Sequence, residues 1–80
     1  MNMKRKIEKM IRKKKSRIRG WIKDIRKHLR DLEYALKKNW CYDADDIAAD
    51  IRNTAVWMEE EIESWMTLEE LLADEYEKRD

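Results

Sequence analysis

The residues with chemistry to offer are few. His28 is the lone histidine, and with Asp24 and Asp31 it falls on one helix face at i, i+4 and i+3, the spacing a metal pair on a helix uses. A stripe of solvated side chains satisfies the same spacing, and that is the expectation here. Cys41 could act as a nucleophile only beside a base that lowers its pKa, and none is fixed near it in the sequence, so an inert thiol is expected. The acidic run from Asp43 lacks the glycine and the terminal glutamate of a calcium loop, because Ala48 and Thr54 occupy those places. No glycine-rich phosphate loop occurs. The expectation is therefore no enzyme, no metal and no cofactor, with function residing in binding.

Charge is the richer signal. Residues 1–40 hold 16 Lys or Arg against 4 acids, a net +12, and residues 41–80 hold 3 against 14, a net −11. The overall balance of +1 hides two oppositely charged halves. In the basic half, Arg12, Lys13, Lys14, Lys15, Arg17, Arg19 and Trp21 look like an arginine-rich helix for RNA or DNA, with cations for the phosphates and an indole to stack. In the acidic half, Asp43, Asp45, Asp46, Asp50, Glu59, Glu60, Glu61 and Glu63 could imitate a row of phosphates and fill a basic groove on another protein. Trp40, Tyr42 and Trp57 lie where a helix seam does not require them and would serve such an interface as aromatic anchors. The plainer alternatives are a solvated acidic face, aromatics folded over the end of the molecule, and basic and acidic arms that neutralise each other.

The elements that position these groups are helices. The sequence has no proline and one glycine, Gly20, and its charge is carried mainly by Lys, Arg and Glu, all good helix formers. Apolar residues recur at Ile18, Ile22, Ile25, Leu29, Leu32 and Leu36 in steps of four and three. They recur again at Ala44, Ala48, Ile51, Ala55, Met58, Ile62 and Trp65. Two such seams joined by a short connector predict an all-α antiparallel hairpin. The expected parts are a weakly packed basic arm over 1–16, helices over 17–38 and 44–65, a connector at 39–43 and an acidic helix over 68–78. Asn39 is the expected left-handed stop and Asp43 the expected N-cap. Thr67 and Glu70 form a capping-box pattern that favours a break near 66, although the seam register also allows one unbroken helix, and Gly20 is a second candidate joint. Turn-centred pairing would match residues whose numbers sum to about 82.

Alanines at three seam positions leave a thin core, which a second hairpin could complete as a four-helix bundle, so a homodimer is an expected partner. The run Asp43, Ala44, Asp45, Asp46 with Ala49, Asp50 and Ile51 resembles the turn of the plasmid Rop family of RNA-binding helical hairpins. That resemblance spans about a tenth of the chain and implies a dimeric RNA-binding regulator; acidic residues at a helix start also arise from the helix dipole alone. The leading expectation is a non-enzymatic inhibitor of phage or mobile-element type, by class analogy with anti-CRISPR proteins, that occludes a protein or nucleoprotein surface. The alternative is a nucleic-acid-binding regulator using the basic arm. No long apolar span and no signal-peptide pattern are present, and an intracellular, membrane-free location is expected.

Overall fold

A computed structural model describes residues 2–77. Two helices, α1 (Met3–Lys38) and α2 (Cys41–Glu77), run antiparallel as a hairpin measuring 63 × 15 × 14 Å. Asn2 caps α1, its Oδ1 accepting from the Lys4 backbone N–H at 3.0 Å. Asn39 ends α1 in the left-handed region, with φ 60°. Its N–H donates to Leu36 O, and the Trp40 N–H donates to Ala35 O, so a Schellman-type stop satisfies the last carbonyls.

The connector is shorter than the spacing suggests. Cys41 and Tyr42 already belong to α2, and Trp40 takes the cap position that Asp43 was expected to fill, its carbonyl accepting from the Ala44 N–H at 2.9 Å. Asp43 lies in the first turn instead, where its charge complements the positive helix end. The expected break near residue 66 is absent. Thr67 turns its hydroxyl back onto the Glu63 carbonyl at 3.2 Å instead of capping a new helix, and α2 continues to Glu77. The ends expected at Met1 and Lys78 lie outside the described residues. Gly20 makes no joint either; it sits within α1 with a negative φ.

The interface is a heptad seam, but at every second position it uses the residue just before the expected hydrophobe. Partial or full burial on α1 follows Lys4, Ile7, Ile11, Lys14, Ile18, Trp21, Ile25, His28, Leu32 and Ala35. On α2 it follows Ala44, Ile47, Ile51, Thr54, Met58, Glu61, Trp65, Leu68, Leu72 and Glu75. Both series alternate steps of three and four throughout. Ile18, Ile25, Leu32, Ile51, Met58 and Trp65 are seam residues as expected. Leu29, Leu36, Ala48 and Ala55 are exposed, displaced by His28, Ala35, Ile47 and Thr54. The register also falls a few residues short of a sum of 82: Trp21 meets Trp57 and Lys15 meets Trp65.

The expected weakly packed arm over 1–16 is where the tightest packing lies. Ile7 and Ile11 are buried against Leu68, with Trp65 and Leu72 closing around them. Elsewhere the core is thin. Ala35 is the only other buried apolar residue among those described, and no side chain is completely removed from water.

Candidate binding surfaces

The basic and acidic arms do not neutralise each other along their length. Among the described residues, ion pairs across the hairpin converge on one carboxylate: Lys14 Nζ is 2.8 Å from Glu61 Oε1, and Arg17 Nη1 is 3.1 Å from Glu61 Oε2. Glu61 is 7% exposed in the seam, so it belongs to the interior and not to the outward acidic row assigned to it from sequence. Lys15 reaches over the Trp65 ring at 5.1 Å, Arg17 over Trp21 at 5.8 Å, and Lys4 over Tyr76 at 4.3 Å. Lys4 and Lys15 are half-buried and Arg17 is exposed, the behaviour of long cations whose stems cover apolar surface while their charges stay in water.

Of the seven candidate nucleic-acid contacts, Lys14, Lys15, Arg17 and Trp21 are therefore engaged within the hairpin, and Arg12, Lys13 and Arg19 are exposed on its outside. These three belong to a longer array. Arg5, Arg12, Arg19 and Arg26 repeat every seven residues; beside them run Lys6, Lys13 and Lys27, and then Lys9, Lys23 and Arg30. Stepping by the seam's own period places all ten on the face of α1 directed away from α2, and all are exposed. At 1.5 Å per residue the ridge is about 38 Å long. At its start Arg5, Lys6, Lys9 and Lys13 surround Met10 in an open cleft of about 660 Å³. The signal was legible as a seven-residue repeat of cations; reading only the densest run, 12–19, concealed it.

On α2, Asp45, Asp46, Glu59, Glu60 and Glu63 face outward, while Asp43, Asp50 and Trp57 share one edge beside the seam; all are exposed. The outward row is broken by Arg52, Asn53, Val56 and Met66 and is less uniform than the ridge on α1. Trp40 folds against Tyr34, ring centroids 5.7 Å apart and edge to face, although 48% of it stays in water. Trp57 leans on Trp21 at 6.5 Å and is 52% exposed. Tyr42, at 85%, projects from the first turn of α2.

The remaining chemistry is scattered. His28 is half-buried on the seam face, not in a solvated stripe with the exposed Asp24 and Asp31. Cys41 is an exposed free thiol at the start of α2. Among the described residues no three His, Cys, Asp or Glu side chains gather as metal ligands, and no helix is long and apolar enough to cross a membrane. No protein-family model matches the chain, and no curated protein or solved structure matches it either.

Proposed function

We propose that the chain is a non-catalytic binding protein that lays the outward ridge of α1 along the phosphates of a nucleic acid. The observation that supports this is the row of ten exposed cations from Arg5 to Arg30, none in an ion pair among the described residues, on the face of α1 pointing away from the acidic helix. Like charges spaced three and four residues apart weaken an isolated helix, and a polyanion laid along them relieves that repulsion. Phosphate contacts of this kind carry affinity without base selectivity, and their strength falls steeply with salt.

The test is a gel-shift titration with random-sequence RNA and DNA across a salt series. Tight binding is expected at low salt. The triple variant Arg12→Glu, Lys13→Glu, Arg19→Glu touches no hairpin contact and should flatten the slope of log K against log salt by about 3. Salt-insensitive binding, or a triple variant that binds like the parent, would refute the reading.

A second reading rests on the other helix. Exposed Trp57 and Tyr42 stand among the carboxylates of α2, which suits docking into a basic groove of a protein or nucleoprotein and its inhibition by occlusion, in the manner of an anti-CRISPR protein. Trp57→Ala and Tyr42→Ala would then abolish partner binding while leaving the gel shift unchanged.

A further inference from the structure

One flank of the hairpin carries an apolar stripe that the fold leaves in water. Ile22, Leu29 and Leu36 each directly follow a seam residue of α1, and Ala48, Ala55 and Ile62 each directly follow a seam residue of α2. A local two-fold axis perpendicular to an antiparallel pair carries this edge of one helix onto the same edge of the other, so both sets lie on one flank. Leu29 is 46% and Leu36 65% exposed, Ala48 and Ala55 are exposed, and Ile22 and Ile62 are half-buried. These residues continue the seam sideways into the broad apolar face that a helix presents to a bundle of four, wider than a two-helix coil needs.

We infer that a second copy of this chain covers this flank, face to face, with both turns at the same end of a four-helix bundle. Two features of the chain select that arrangement. With the turns at the same end, the two-fold axis runs along the bundle, and α1 of each copy lies on α2 of the other. The large side chains Leu29 and Leu36 then meet the small Ala48 and Ala55 of the second copy, and interdigitate as a close-packed core requires. Basic α1 at the same time gains a second acidic neighbour. With the turns at opposite ends, α1 lies on α1 and α2 on α2, so Leu29 and Leu36, near the turn, fall opposite the basic open-end arm of the second copy and like charges face each other. Surface ion pairs add little strength, but their sign decides between two otherwise similar packings. In either case Lys6, Lys13 and Lys27 with Lys9, Lys23 and Arg30 stay on the outside of the bundle, while the Arg5, Arg12, Arg19 and Arg26 column borders the covered flank.

Cys41, the single cysteine and exposed at the turn, reports the arrangement. The full chain is spin-labelled there, its mass is measured by light scattering at submillimolar concentration, and label separation is read by pulsed dipolar spectroscopy. A dimer with labels under about 25 Å apart is expected, since neighbouring helices in a bundle pack 8–10 Å apart. Labels at about 60 Å, the length of the 63 Å hairpin, would overturn the arrangement, and a monomer would overturn the inference altogether. Leu29→Glu with Ala48→Glu alters only exposed positions; it should yield a helical monomer, and a variant that remains dimeric counts against this flank.

Discussion

The open end and the turn end of the hairpin are built on opposite principles. At the open end, charge is densest, yet Ile7, Ile11 and Leu68 are buried, and Glu61 lies in the seam with two cations on it. Toward the turn the sequence is more regularly apolar, yet Leu29 and Leu36 stand in water and only Ala35 and Thr54 are buried. A long cation closes a seam that would otherwise be too narrow, because its methylene stem packs while its charge reaches the rim. Alanines bring no such cover, and a two-helix hairpin with small seam residues remains open. The charged half is thus the better packed one, and the apolar half is the one that leaves its leucines in water.

The contrast can be broken by substitution. The largest effect is expected at Leu68→Ala, which empties the buried cluster and should cost about 2–4 kcal/mol in denaturant unfolding. At high dilution, Leu29→Ala at the other end should cost less than about 1 kcal/mol, since the leucine is already half in water; an equal loss at both sites would abolish the distinction. Gly20→Ala sits between the two regions, where an added Cβ meets nothing within 4 Å, and should raise stability by about 1 kcal/mol through helix propensity and a stiffer unfolded chain. Thr67→Ala should be neutral to within about 0.5 kcal/mol, because its hydroxyl serves only its own helix; a capping threonine would lose about 1 kcal/mol.

The hairpin itself was readable from the alternating steps of four and three, and Asn39 marked its turn. The phase of the seam was not. Each helix carries apolar residues on three adjacent columns, and a single sequence reports the centre of that stripe without saying which edge meets the partner helix. Choosing Leu29 over His28, or Ile62 over Glu61, follows hydrophobicity one position at a time. Carrying a single register through all of α1 admits Ile7 and Ile11 to the seam, places Lys14 between them and Ile18, and leaves the leucines outside. The same step turns the cations into a ridge. The inward pull of Glu61 was hidden because its neighbours Glu59, Glu60 and Glu63 are of the same type, and only the position of Lys14 and Arg17 across the seam distinguishes it.

Every surface described above, ridge and stripe alike, depends on that phase. The most direct test is a double-mutant cycle on Lys14→Ala and Glu61→Ala, read as unfolding free energies. A coupling of about 1 kcal/mol or more between the two residues is expected, because they meet at 2.8 Å in the seam. Losses that simply add, to within about 0.3 kcal/mol, would place the two side chains apart and contradict the register.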